Sequence, residues 1–136
     1  MRSCRIALVL LGSLVIAGCG GDSPTEPAAC TNLGGPWQVS FQDSCGLRWT
    51  DQVTVTQSGC SYSARGTLLP FSFEGTISGN AVTIRIAFGG SCPGTASGTG
   101  SIHLGGVDGT YAGTMAGGSG CCTGAMDGTF SLVPPR

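Results

Sequence analysis

The chain has 136 residues, 25 of them Gly, and Asp, Glu, Lys and Arg together make up only 10%, against roughly 25% in an average domain. It contains no Lys, and beyond residue 18 four Arg face seven carboxylates, a net charge of −3. That balance excludes the basic footprint of a nucleic-acid binder and the polybasic patch that holds a protein to anionic lipid.

Arg2 and Arg5 open the chain as a positive segment, followed by an apolar stretch over 6–17 broken only by Gly12 and Ser13. The stretch is too short for a comfortable membrane span and reads as an export signal, 1–18. Ile16-Ala17-Gly18-Cys19 resembles the lipobox of bacterial lipoproteins. That resemblance implies cleavage before Cys19, a diacylglycerol on its thiol and acylation of the new amine. Each buried methylene then adds roughly 0.8 kcal/mol of membrane attachment. The alternative is an ordinary signal peptide with an incidental Cys. The segment that follows, 19–31, is rich in Gly, Pro, Ser and Thr and reads as a tether. By the same resemblance, Gly20 in place of Asp after the lipidated residue favours the outer membrane. The expected location is the bacterial cell envelope, with the membrane reached through lipid.

With Cys4 lost with the signal and Cys19 lipidated, six cysteines remain: Cys30, Cys45, Cys60, Cys92, Cys121 and Cys122. An even number in a small exported domain reads as a disulfide framework. Cys121-Cys122 leaves two side readings, a soft-metal site or a vicinal disulfide. No Cys-x-x-Cys is present, and neither metal nor cofactor is expected.

The 32–134 region reads as one all-β domain. Strand-like runs with period-2 alternation cover 37–42, 52–57, 61–67, 71–77, 81–88, 98–104, 110–115 and 126–132. Gly-containing turns separate them at Ser58-Gly59, Ser78-Gly79-Asn80 and Gly105-Gly106-Val107-Asp108-Gly109. The expected buried face carries Trp37, Val39, Phe41, Val53, Val55, Tyr62, Ala64, Phe71, Phe73 and Ile77 in its first half. It continues with Val82, Ile84, Ile86, Phe88, Ile102, Leu104, Tyr111, Met115, Met126, Phe130 and Leu132. The opposite faces are Thr- and Ser-rich. No helix-period segment appears in the mature chain. Successive hairpins with one apolar face suggest an eight-stranded antiparallel up-and-down meander, closed into a barrel to remove its edges. A two-sheet β-sandwich is the alternative. Gly35-Pro36-Trp37 at the first strand resembles the opening motif of the calycins, the lipocalin and avidin-like barrels. The resemblance implies a small meander barrel over the whole domain.

A meander alternates ends. If the first strand starts at the bottom, Cys30 and Cys60 lie at the bottom, and Cys45, Cys92, Cys121 and Cys122 lie at the top. A disulfide needs Cα atoms within about 7 Å, whereas a six-residue strand spans about 20 Å. Pairing between ends is therefore disfavoured. Cys30–Cys60 is common to all three surviving connectivities. Cys45 and Cys92 then pair with the two members of Cys121-Cys122, or with each other beside a vicinal bond. The first kind is favoured, because closure brings the last loop beside the first. The longest loops, 43–51, 89–97 and 116–125, fall at the stapled top. Arg48 and Trp49, read as lying in the first of them, form a candidate contact rim.

Catalytic constellations are weak. His103 falls on an outward strand face without a nucleophile and acid arranged around it. Asp43 and Asp51 read as turn residues. Asp108-Gly109-Thr110-Tyr111 and Asp127-Gly128-Thr129-Phe130 form a small repeat, read as turn chemistry. The expectation is a non-enzymatic lipoprotein that binds a small apolar ligand or an envelope partner at its loop-rich end. An interaction or inhibitor module, or a structural surface protein, are the alternatives. A cavity inside the barrel would favour the ligand, and an exposed apolar patch at the rim a partner. Oligomeric state is left open.

Overall fold

The computed structural model describes residues 29–136. The proposed signal, Cys19 and most of the tether lie outside the described residues. Eight strands follow in chain order: β1 (Gly35–Asp43), β2 (Arg48–Ser58), β3 (Ser61–Arg65), β4 (Phe71–Ser78), β5 (Ala81–Phe88), β6 (Gly94–His103), β7 (Gly106–Met115) and β8 (Gly124–Val133). Each pairs antiparallel with the next, and β8 returns to β1, closing an up-and-down barrel. The strand order closes on itself, so a β-sandwich is not formed, although β3 covers β2 only at Thr56–Ser58.

Alternation drives this geometry. Along β5, Val82, Ile84, Ile86 and Phe88 point inward while Ala81, Thr83, Arg85 and Ala87 face out. The inward positions of all strands merge into one cluster. At its centre the ring of Phe41 meets Phe71, Phe88 and Tyr111 edge-on, at centroid distances of 5.3, 5.9 and 5.9 Å. Such pairs add about 0.5–1.5 kcal/mol each beyond the area they bury. No buried side-chain polar atom among the described residues lacks a hydrogen-bond partner.

Several strands begin earlier than the alternation predicts. β6 starts at Gly94 rather than Gly98, because its inward positions are Gly94, Ala96, Gly98 and Gly100 and carry little apolar signal. β2 starts at Arg48, so Arg48 and Trp49 belong to a strand and not to a loop. The turn expected over 105–109 is only Leu104-Gly105, with His103 paired to Gly106. Val107 is core, whereas Leu104, expected in the core, is fully exposed at that turn. Ile102 and Trp37 are half-buried. β3 ends at Arg65, two residues early.

The Asp-Gly repeat is likewise strand and not turn. Its two copies pair with each other: Gly109 opposes Phe130, Thr110 opposes Thr129, and Tyr111 opposes Gly128. A Cβ on Gly128 would come 2.6 Å from the Tyr111 ring, and one on Gly109 2.7 Å from the Phe130 ring. Each glycine is therefore the space into which the other copy's aromatic packs. Gly75 does the same for Tyr62, at 2.7 Å. Aromatic cover of inward glycines lets a small barrel close tightly around large rings.

Candidate functional site

Parity places the bottom at the start of β1. There the segment before β1 folds across the barrel mouth. Leu33 is buried, and its amide donates to Gln57 Oε1 at 2.6 Å. The Leu33 carbonyl accepts from Trp37 Nε1 at 2.7 Å. Gln57 Nε2 donates to the carbonyls of Thr31, at 3.1 Å, and Gly59, at 2.9 Å. The Cys30–Cys60 disulfide, with Cα atoms 5.3 Å apart, fastens the plug to the β2–β3 turn.

The top loops are held by different devices. Asp51 on β2 is in phase with Val53 and Val55, so its carboxylate is buried at an inward position. Its Oδ1 accepts from the Gln52 amide at 2.7 Å, and its Oδ2 from the amides of Leu68 and Leu69, both at 2.9 Å. Burial pushes this carboxyl's pKa up. The backbone amides of Leu69, Leu68, Gln52 and Thr67 together outweigh burial and hold it below the ordinary carboxylate value. The 66–70 loop is thereby pinned against β2, where Thr67 Oγ1 also donates to the Gln52 carbonyl at 2.7 Å. Leu69 turns in against the core, and Leu68 is left 81% exposed. Asp51 is thus not the turn residue expected. Asp43 is one: its Oδ1 accepts the amides of Cys45, at 3.0 Å, and Leu47, at 2.9 Å.

The other three top loops are stapled to each other. Cys45–Cys122 has Cα atoms 5.9 Å apart, and Cys92–Cys121 5.5 Å. The favoured kind of connectivity is the one observed, and the vicinal alternative is not. Asp43 Oδ lies near the Cys45 and Cys122 sulfurs. Both sulfurs are bonded to each other, so this cluster offers no thiolate for a metal. These loops span 44–47, 89–93 and 116–123, shorter than the sequence suggests, because the flanking strands extend into them.

Of the rim candidates, Arg48 is exposed, and Trp49 is half-buried with its ring edge-on to Phe88 at 5.1 Å. The exposed apolar group of the rim is Leu68. Sequence reading missed both it and the role of Asp51, although an acid in phase with two core valines was a readable signal. His103 faces outward as expected. Its Nδ1 accepts the Gly105 amide at 3.2 Å, and its Nε2 pairs with the exposed Asp108 carboxylate. Both ring nitrogens are engaged. Tyr62 and Tyr111 are pushed up to about 12 by burial, with Asp43 and Asp127 adding to the shift at Tyr111. Tyr62 donates to the Thr83 carbonyl at 2.7 Å.

These features define a disulfide-stapled β-barrel filled by its own side chains and plugged where β1 begins. The chain matches no family model, no curated protein and no solved structure.

Proposed function

We propose that this chain is an exported, lipid-anchored binding module that works through its outer surface. Lipidation at Cys19, expected from the lipobox-like Ile16-Ala17-Gly18-Cys19, would hold it to the envelope. The tether joins the barrel at the bottom, beside the Cys30–Cys60 staple. The top rim then faces away from the lipid. An envelope protein is the proposed partner there, and no catalytic role is proposed. The likeness to calycins is proposed for architecture alone.

The observation that carries this reading is the packed interior. Twenty-two buried apolar residues, the plug residue Leu33 among them, form one cluster, with Leu69 of the Asp51-pinned loop packed against it. That packing favours a partner outside over a small apolar ligand within. It also fixes Leu68 on an ordered loop, where an apolar contact costs little ordering entropy.

The two most exposed large apolar residues sit at opposite ends, Leu68 at the top and Leu104 at the bottom turn. A photo-crosslinking amino acid placed at each, in the full chain in its own host, separates the ends. One discrete adduct from position 68 and none from position 104 is expected. Equal adducts from both ends, or none from either, would overturn the rim reading. A stoichiometric apolar ligand in native mass spectra of the purified full chain would overturn the filled-barrel reading. Labelling with an alkyne-tagged fatty acid should be lost on Cys19→Ala; retained label would remove the anchor.

A further inference from the structure

The outer wall carries a second feature, away from the rim. A groove of about 1080 Å³ crosses the strands of the wall. One rung of its floor runs in register through Thr56, Ser63, Glu74, Arg85 and Ser97, from β2 to β6. Arg65 stands one outward position further along β3, opposite Ser72. Eight of its eighteen lining residues are Ser or Thr, and its one aromatic, Phe73, faces the interior.

Charge is scarce in this chain, so its placement here is informative. Two of the four Arg beyond residue 18 line one groove. Glu74 is directly opposite Arg85, yet neither Arg65 nor Arg85 forms an ion pair, the sole pair among the described residues being His103 with Asp108. Two exposed guanidiniums are thus held apart among hydroxyls. Two strand spacings and a two-residue offset separate their Cα atoms by about 12 Å.

The chemistry of this lining selects its ligand. A nucleic acid would require a denser basic patch and rings to stack its bases. An extended peptide requires a free sheet edge, and where β3 leaves β2 unpaired the 66–70 loop already lies against it, Thr67 Oγ1 donating to the Gln52 carbonyl at 2.7 Å. A membrane surface requires several cations or an apolar wedge. A polyhydroxylated chain with spaced carboxylates meets every group present. Guanidiniums take carboxylates in bidentate fashion, Glu74 accepts sugar hydroxyls, and Ser and Thr both donate and accept. We propose that the β2–β6 wall binds an acidic oligosaccharide through Arg65 and Arg85. This site is separate from the proposed rim contact.

The test uses the full chain in detergent and isothermal titration with an oligogalacturonate. Maltotetraose serves as the neutral control and phosphatidylglycerol vesicles as the anionic-lipid control. The expected result is binding of the acidic oligosaccharide alone, weakening as salt is raised. The Arg65→Gln/Arg85→Gln variant should lose at least about tenfold in affinity. Both side chains are exposed, so an unchanged thermal midpoint verifies the fold. Failure of wild type to bind, equal binding of maltotetraose, or full affinity in the variant would overturn the proposal. Binding to vesicles alone would replace it with a membrane contact. An unchanged adduct from position 68 in the double variant would show that the two sites are independent.

Discussion

At the scale of single residues, the barrel depends on where a side chain is missing. Gly109 and Gly128 each receive an aromatic ring from the opposite copy of one short repeat. Gly128→Ala would set a Cβ 2.3 Å from the Gln42 carbonyl oxygen as well as 2.6 Å from the Tyr111 ring, so both strand and ring must shift. Overpacking of this kind typically costs about 1–3 kcal/mol. Gly109→Ala should behave alike, against the Thr99 carbonyl oxygen at 2.2 Å and the Phe130 ring at 2.7 Å. Gly118, where a Cβ would meet nothing within 4 Å, provides the control, and Gly118→Ala should be near neutral. Denaturant midpoints of the three variants decide the matter; a neutral Gly128→Ala would mean the ring has another seat.

Asp51 gives a residue-scale prediction with a sign. Its carboxyl is held below the ordinary value in the folded state by amides that exist only there. The unfolded chain therefore binds the proton more readily, and stability rises with pH across that window. The contribution is complete above the unfolded carboxylate value, near pH 4. It is lost as pH falls through the folded value. Asp51→Asn keeps one acceptor but turns an amino group toward an amide donor. It should cost about 1–3 kcal/mol at neutral pH. Its stability should also vary less with pH below about 4 than that of wild type. Parallel acid limbs for the two proteins would assign the acid sensitivity elsewhere.

At the scale of elements, legibility followed side-chain period. β5 was readable in full because every second residue is a large apolar one. β6 and β7 were half-readable: inward glycines keep the backbone period but erase the hydrophobic one. The Asp-Gly pairs were mistaken for turns because only the partner strand reveals the aromatic above each glycine. The start of β2 was lost for a different reason. Asp51 is a charged residue at an inward position, and local pattern cannot know that three backbone amides await it. Cysteine pairing was readable because strand parity is a property of the whole meander. Parity could not choose between Cys121 and Cys122, which are adjacent.

That choice defines the third prediction. Cys45–Cys122 closes a 77-residue separation and Cys92–Cys121 a 29-residue one. On loop-closure grounds each is worth about 3–5 kcal/mol, the longer more. Cys122→Ser should leave Cys45 as the free thiol, and Cys121→Ser should leave Cys92. Alkylation followed by peptide mass spectrometry identifies the thiol in each variant without cutting between adjacent cysteines. The reverse assignment would cross the two top staples, although the barrel would remain. Cys122→Ser should also be the more destabilising, since Cys122 is buried in the core cluster.

At the scale of the molecule, the proposed anchor gives the barrel a direction that two natural probes can read. The described chain begins at the bottom, and its two Trp lie at different heights on neighbouring strands. Trp37 is near the bottom plug, hydrogen-bonded to Leu33. Trp49 is beside Phe41, four residues nearer the top, or about 13 Å along β1. With Cys19 lipidated in vesicles carrying dansyl headgroups, energy transfer should be stronger from Trp37, read in Trp49→Phe, than from Trp49, read in Trp37→Phe. Trp49→Phe removes a ring packed on Phe88 and Trp37→Phe removes one hydrogen bond, so both need a fold check by circular dichroism. The Cys19→Ala chain, which lacks the anchor, should show no transfer in either background. Stronger transfer from Trp49 would place the stapled loops against the lipid. The rim would then be a membrane contact, with Leu68 as its apolar group, and the search for a protein partner would move to the opposite end.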